Sequence, residues 1–162
     1  MSSPISKPDL TNLTSLENSA STLIPYIGFL LNKTALKVSQ QADAGLEPFA
    51  IQIRHYAILL LLTQLNSTVS QKEIGERLWI DRNTMVSLLD HLEAQELAVR
   101  TRDPNDRRSY AISITGKGRS VVEQAGQIVG EANAQFVEAL SADELEQLTT
   151  LLIKLLKGVQ GD

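Results

Sequence analysis

Two short helical segments separated by only three residues constrain the fold of this chain more than any other feature of its sequence. Ser70 and the glutamate three residues later form a capping box, which predicts a helix from Gln71 to about Leu78. The break Trp79–Asp81 follows, and Asp81 is a favoured N-cap for a second helix. This spacing is typical of a helix-turn-helix.

The second segment, RNTMVSLLDHLEAQEL, predicts an amphipathic helix whose outer face carries polar side chains. Its apolar residues share the inner face: Met85, Leu88, Leu89 and Leu92. The second helix of a helix-turn-helix enters the major groove of DNA by its N-terminal residues. Asn83, Thr84 and Ser87 are therefore candidates for hydrogen bonds to base edges or phosphates. Arg82 is placed for a phosphate, and His91 flanks the same face. The alternative is a plain helical hairpin whose polar face meets only water.

A hairpin tipped with arginine is predicted after these helices. Residues 99–102 and 110–114 alternate as two strands would, and the run DPNDRR between them favours a turn. Six basic and two acidic residues between 98 and 120 give this region a local charge of +4, although the net charge of the chain is −4. A wing of this kind can place Arg107 and Arg108 along a phosphate backbone or in a minor groove. The alternative is an exposed turn whose arginines are solvated.

The stretch SQKEIGERLWIDRNTMVSLLDHLEAQELAVRTRDPNDRRSYAISITGKG resembles the winged helix-turn-helix of the multiple antibiotic resistance regulator (MarR) family. The matching segments stand in the family's order and spacing: Ser70–Leu78, Ile80–Asp81, Leu88–Glu93, the DPNDRR run at 103–108, and 114–119. The flanking helices also match, so the resemblance covers roughly residues 20–158. It implies a mainly α (α+β) fold, a winged helix-turn-helix whose N- and C-terminal helices form a dimerisation region.

The resemblance also implies a function. Members of the family are homodimeric transcription regulators, usually repressors of nearby genes, which a small ligand or chemical signal releases from DNA. A twofold dimer would bind a pseudo-palindromic site with half-sites one helical turn, about 34 Å, apart. The expected partners are double-stranded DNA, a second copy of the chain and a small-molecule effector, with no cofactor, no metal and no membrane. The operator, the regulated genes and the effector do not follow from the sequence.

Individual positions of the family's wing match residues of this sequence. Asp106 and Arg108 match the family's Asp-x-Arg, in which the arginine reaches into the minor groove and acidic residues orient it. Asp81 matches a position that pairs with this arginine, which implies a contact between Asp81 and Arg108; a role as a simple N-cap is the alternative. The family often carries a basic residue where this chain has Met85–Ser87. The arginine-to-guanine contact therefore has no evident donor here beyond Arg82.

Helical periodicity predicts four more helices, two before the motif and two after it. They run from Ala20 to about Ala44, from about Ile53 to Leu65, onward from the cap Thr115, and onward from the capping box at Ser141. The expected domains are a flexible arm (1–19), a helical dimerisation region (20–48 and 116–162) and the winged helix-turn-helix DNA-binding domain (49–115). The apolar stripes of the terminal helices suit a dimer interface.

Composition narrows the class of protein. The chain has 162 residues and no cysteine, which excludes disulfides, thiol catalysis, thiol-based oxidant sensing and cysteine-ligated zinc. Its longest unbroken apolar run, Tyr56–Leu62, is far shorter than the roughly 20 residues that a membrane-spanning helix needs. No secretory signal is evident at the N-terminus. A cytoplasmic protein is therefore expected.

Four other functions compete with DNA binding. The run TGKGRS at 115–120 follows a strand and opens a helix, as a phosphate loop does, but it lacks the Walker spacing. It also fits a strand-to-helix turn whose basic residues add DNA backbone contacts. No nucleophile–base pair is evident, so an enzyme is not expected. A zinc site is not indicated either. His55 and His91 lie on different predicted helices, and neither has the second ligand at i+4 that a zinc site on one helix would need. The fourth alternative is a winged helix that binds protein. Its affinity for the partner would change little with salt concentration, whereas affinity that depends on phosphate contacts falls steeply as salt rises.

The resemblance places a ligand site between the helical dimer region and the winged domain. The polarisable residues nearest that junction along the chain are Tyr26, Phe29, His55 and Tyr56. Each of them also suits simple packing. These four residues are candidate ligand contacts.

Overall fold

The computed structural model describes residues 26–102 and 110–159. Its helices are α1 (Ile27–Leu46), α2 (Ile53–Leu65), α3 (Gln71–Leu78), α4 (Arg82–Ala94), α5 (Gly116–Val137) and α6 (Ala142–Val159), with a 3-10 turn at Glu47–Phe49. Its strands are β1 (Val69–Ser70), β2 (Ala98–Arg102) and β3 (Tyr110–Ile114). The predicted arm at 1–19 and the predicted wing residues Asp106, Arg107 and Arg108 lie outside the described residues.

The predicted helices are confirmed for the described residues, with changed boundaries in α1 and α4: Tyr26 precedes α1, and α4 ends at Ala94, three residues before the end of the predicted segment. α2 has the bounds that periodicity predicts. α1 continues through Gly45 and ends at Leu46, whose side chain is fully buried and offsets the low helix propensity of glycine. A side chain at position 45 would collide with Ile128 of α5, so the glycine permits a close approach of the two helices.

The sheet contains one strand that the sequence pattern does not predict. β1 has two residues, Val69 and Ser70, which pair antiparallel with Ile112 and Ala111 of β3. β3 is therefore the central strand, in the order β1-β3-β2. A strand of two residues is too short to show an alternating pattern, so only its pairing defines it. This pairing attaches the start of α3 to the base of the wing.

α2 lies at the centre of the core, in agreement with its apolar sequence. It packs against α3, α4, α5 and β3. The largest fully buried side chains come from α2 and the elements around it: Leu46, Ile58, Leu59, Leu62, Ile74, Met85, Leu89, Leu92, Leu97 and Ile112. Because Met85, Leu89 and Leu92 anchor the inner face of α4, the outer face of that helix is held at the surface.

Side-chain caps fix the helix starts. Ser70 Oγ accepts from Glu73 N (3.1 Å), but the Glu73 carboxylate pairs with Arg77 (2.8 Å) and leaves the capping box half formed. The box at the start of α6 is complete, since Glu144 Oε2 accepts from Ser141 N (2.8 Å) and Ser141 Oγ accepts from Glu144 N (3.4 Å). Ser141 donates to the Glu144 carboxylate from its backbone N–H and from its hydroxyl (2.9 Å), and these two hydrogen bonds hold the pKa of Glu144 below its ordinary value.

The loop TGKGRS serves packing and helix capping. Thr115 Oγ1 accepts from Gly118 N (3.0 Å) and so caps α5, as predicted. A side chain at position 118 would collide with the backbone oxygen of Leu97, so this glycine lets α5 begin directly beside the strand. These contacts agree with a strand-to-helix turn.

The terminal helices keep apolar side chains at the surface. Tyr26, just before α1, is exposed, as are Ile27, Leu31 and Leu36 of α1. None of the described residues of α6 is buried. Its exposed apolar side chains are Leu148, Leu151, Ile153, Leu155 and Leu156. Across the described ranges, the helices are too short or too polar to cross a membrane.

Candidate nucleic-acid interface

The start of α4 is fixed by the carboxylate of Asp81. Asp81 Oδ1 accepts from Asn83 N and from Thr84 N, each at 3.0 Å. Hydrogen bonds from the side chain and backbone of Thr84, followed by that of Asn83, hold the pKa of Asp81 below its ordinary value. The N-cap role is confirmed. A contact of Asp81 with Arg108 stays a prediction, because Arg108 lies outside the described residues.

The outer face of α4 presents hydrogen-bonding groups to solvent. Arg82, Asn83 and Ser87 are exposed, and Thr84 is half-buried. Ser87 Oγ donates to Asn83 O at 3.4 Å, a long hydrogen bond that leaves the hydroxyl oxygen able to accept. Val86, 39% exposed, adds an apolar surface beside them. The first two turns of α4 therefore offer the donor, acceptor and apolar groups that base edges require.

Arg100 of β2 holds the base of the wing against α4. Its guanidinium contacts Asp90 Oδ1 (2.6 Å), Glu93 Oε2 (3.1 Å) and Val86 O (3.2 Å). Its backbone N–H donates to Glu93 Oε1 (2.9 Å). The Arg100 side chain is only 19% exposed, and its buried Nε atom has no hydrogen-bond partner among the described residues. These contacts hold β2 against α4, which we call the recognition helix because it is the second helix of the helix-turn-helix.

From the sequence, Arg100 is only one of six basic residues between 98 and 120, and this role is not predicted. One signal was available: Arg100 lies two residues after the buried Ala98, so both side chains point to the same face of the strand. Asp90 and Glu93, on the preceding helix, supply the opposite charges. Only the packing of β2 against α4 shows that Arg100 contacts both Asp90 and Glu93.

Two more basic residues of the +4 region are engaged within the protein. Lys117 Nζ donates to Gln95 O at 2.8 Å and lies 3.7 Å from Glu96 Oε2. Arg119 Nη2 donates to Asn66 Oδ1 at 3.0 Å. Both side chains are exposed, so these contacts tie two of the cations to neighbouring residues at the surface.

A cleft of about 1110 Å³ is lined by residues of α3, of the turn after it, of the start of α4 and of the two wing strands. Trp79, Arg82 and Val86 line it on the side of the helices, and Arg100 and Tyr110 line it on the side of the wing. Neither His55 nor Tyr56, two of the candidate ligand residues, lines this cleft. The cleft adjoins the exposed start of α4.

The two histidines lie together. The His55 and His91 ring centroids are 4.5 Å apart. Gln52 N donates to His55 Nδ1 (3.0 Å), and His91 Nε2 donates to Ala50 O (2.6 Å). Burial, followed by the nearby His91, lowers the pKa of His55 to about 4, with Asp43 opposing the shift. His91 is a predicted DNA contact, but its ring is engaged by Ala50 O and by the His55 ring, so we leave it out of the proposed DNA contacts.

The other candidate ligand residues differ in exposure. Tyr26 precedes α1 and is 64% exposed, whereas Phe29 is half-buried, with Lys33 Nζ 5.6 Å from its ring centroid. Tyr56 is buried in the first turn of α2. Among the described residues, no group of three or more His, Asp or Glu side chains is arranged to hold a metal ion.

A helix-turn-helix with an exposed polar helix, followed by a hairpin held against it, defines a winged helix-turn-helix protein. The sequence profile of the MarR family matches residues 51–109. The transcriptional repressor CouR, solved bound to a 23-mer DNA duplex, is 31% identical, with 86% of this chain and 99% of that chain covered and a TM-score of 0.76. The chain therefore belongs to the MarR family of transcription regulators.

Two further solved structures show the range of states in the family. A mutant MarR from E. coli, complexed with operator DNA, is 26% identical, with 86% of this chain and 99% of that chain covered and a TM-score of 0.75. CouR from Rhodococcus jostii RHA1, bound to p-coumaroyl-CoA, is 27% identical, with 80% and 90% covered and a TM-score of 0.70. The predicted family and the predicted fold class are confirmed.

Proposed function

We propose that this chain binds a pseudo-palindromic DNA operator as a homodimer and represses transcription until a small-molecule effector releases it. It would act in the cytoplasm and without catalysis. The observation that carries this proposal is the start of α4, which Asp81 caps and which presents Arg82, Asn83 and Ser87 to solvent. A helix held by its inner face and polar at its exposed N-terminal end is suited to enter a major groove.

The wing supplies the second group of proposed contacts. Arg107 and Arg108 would grip the phosphate backbone or the minor groove, oriented by Asp106 and Asp81. The Arg100 contacts support this arrangement, because they hold β2 beside α4 at the point where the wing begins. Thr84 joins the recognition-helix residues in the proposed contact set.

Apolar side chains on the terminal helices support the homodimer. Leu151, Leu155 and Leu156 of α6 are each at least half exposed in the single chain. An apolar patch of this kind is typical of a protein–protein interface. We propose the dimerisation region as 20–48 together with 116–162, and the DNA-binding domain as 49–115. Tyr26, Phe29, His55 and Tyr56 stay the candidate effector contacts.

Selection of bound sequences from random duplex DNA tests the function. We expect a pseudo-palindromic consensus whose half-site centres are about 10 base pairs apart. An Asn83→Ala, Ser87→Ala double variant should lose the consensus, and an Arg107→Ala, Arg108→Ala variant should bind more weakly with a shallower salt dependence. Failure of the unaltered protein to enrich any sequence, or binding that salt hardly affects, would contradict the proposal and favour a protein-binding winged helix.

A further inference from the structure

Trp79 ends α3 in a backbone conformation that a tryptophan rarely adopts. Its φ and ψ are 56° and 41°, in the left-handed region, and its N–H donates to Gly75 O. Glycine is the usual residue at this position of a helix end, because a Cβ atom is unfavourable there. Three other described residues, Ala50, Asn66 and Glu96, share a positive φ, but their side chains are small or polar. Trp79 combines this conformation with a large aromatic side chain.

The Trp79 side chain is not used in the core. The residue is 56% exposed, and it is the single tryptophan of a chain whose aromatic content is only 4%. Exposed aromatic residues with one polar donor are typical of binding surfaces. Burial within the described part of the subunit therefore offsets little of the cost of holding this residue in the turn.

The position of Trp79 indicates what its side chain contacts. It precedes the cap Asp81 by two residues and lines the same cleft as Arg82 and Val86 of α4. When the first turn of a recognition helix enters the major groove, the turn before it lies against the sugar–phosphate backbone. An indole offers two features to that backbone: an N–H that donates to a phosphate oxygen, and a flat face that packs on deoxyribose.

We propose that Trp79 is a DNA-contacting residue, whose indole N–H donates to a backbone phosphate beside the N-terminus of α4. This inference rests on the proposed function and extends it to a residue outside the two helices of the motif. If the proposal is right, a substitution at position 79 should change DNA affinity without changing folding stability. Glycine at position 79 relieves the backbone conformation and so should not weaken folding, yet it removes the DNA contact.

The single tryptophan makes the contact directly observable. The protein is titrated with a duplex that carries the selected consensus, while anisotropy of a dye on that duplex reports binding independently. We expect the acrylamide quenching constant of the tryptophan emission to fall at least about twofold at saturation, since the backbone covers the indole. Unchanged quenching at a concentration where anisotropy shows full binding overturns the inference.

Two substitutions then test the chemistry of the contact. Trp79→Phe keeps a ring but removes the N–H, and we expect about tenfold weaker binding, the size expected for a lost hydrogen bond to a charged group. Trp79→Gly should weaken binding further without lowering the melting temperature. Val99→Ala alters another exposed apolar residue, 42% exposed on β2, and should leave affinity unchanged.

The outcomes separate the inference from the function on which it rests. If the unaltered protein binds no duplex, the proposed function fails. If it binds, and both Trp79 variants bind equally tightly, only the role of Trp79 is overturned. A Trp79→Gly variant that loses binding together with several degrees of melting temperature also contradicts the proposal, because the loss then follows from folding.

Discussion

α2 and α6 are both rich in leucine, but the structure uses them in opposite ways. α2 buries Leu59 and Leu62 almost completely, between helices on several sides. α6 leaves Leu151 and Leu155 at least half exposed, and no described residue of this helix is buried. Apolar content therefore shows that a helix needs a partner surface, but it does not show whether that surface belongs to the same subunit. In α2 it does, and in α6 we propose that it belongs to a second copy.

The largest expected effect comes from the centre of α2. Leu59→Ala should lower the free energy of unfolding by about 3 kcal/mol, because it opens a cavity in a close-packed core. Urea unfolding at a fixed protein concentration measures the change. A loss below about 1 kcal/mol would mean that α2 is not the centre of the core and would break the comparison with α6.

The matched change in α6 should affect association instead of folding. We expect Leu155→Glu to raise the dissociation constant of the dimer at least tenfold, about 1.4 kcal/mol, because it places a charge in an apolar interface. Analytical ultracentrifugation measures this constant. Val99→Glu, an equal change at an exposed position on β2, is the control and should leave the dimer intact. An unaltered protein that sediments as a monomer would remove the proposed role of α6.

α2 also contains a buried ionisable group, and this makes the core sensitive to acid. The pKa of His55 is lowered to about 4, so between about pH 4 and pH 6.5 the unfolded chain binds a proton that the folded chain does not. Stability should therefore fall as the pH falls through this window, by about 2 kcal/mol at pH 5.

Urea unfolding at pH 7.5 and pH 5 tests this sensitivity. The groups that face His55 are His91 and Asp43, and Asp43 opposes the shift. His55→Asn keeps an acceptor for Gln52 N but does not titrate, so its loss between the two pH values should be smaller. Equal losses in the two proteins would show that other groups cause the acid sensitivity.

Arg100 tests whether the winged region depends on fixed internal contacts. Arg100→Ala should lower the free energy of unfolding by about 1–2 kcal/mol, since it leaves Asp90 and Glu93 without their partly buried partner. It should also weaken DNA binding through a misplaced wing. Arg77→Ala removes a more exposed pair, Arg77–Glu73, and should change stability by less than about 0.5 kcal/mol.

A double-mutant cycle shows whether Arg100 acts through the wing. Its effect on DNA affinity should shrink when Arg108 is already alanine, because the wing then has less to contribute. Strictly additive losses would show that Arg100 affects DNA affinity independently of Arg108.

The smallest expected effect separates the two roles of Asp81. Asp81→Asn keeps a favourable N-cap, so the free energy of unfolding should change by less than about 0.5 kcal/mol, whereas Asp81→Ala should lower it by about 1 kcal/mol. If Asp81 also orients Arg108, Asp81→Asn should weaken DNA binding several-fold, since asparagine cannot form the ion pair. DNA affinity equal to that of the unaltered protein would leave Asp81 as an N-cap only.

Local signals in the sequence predict much of this fold. Caps at Ser70, Asp81, Thr115 and Ser141 mark helix starts that the structure confirms, because each is a contact between residues two or three apart. The inner face of α4 was predictable for the same reason, since helical periodicity depends on neighbours. The strand β1 and the internal use of Arg100 were not, because both depend on pairing between distant residues.

The sequence by itself determined the order of the elements, the motif and the family resemblance, since these follow from local spacing. Only the tertiary structure decided which charged and aromatic side chains remain available. Arg100, Lys117 and His91 are engaged by other residues of the chain, whereas Arg82 and Trp79 are exposed. The physical reason is that a side chain is used by whichever partner the fold brings within a few ångströms, and that distance is not encoded in its position along the chain.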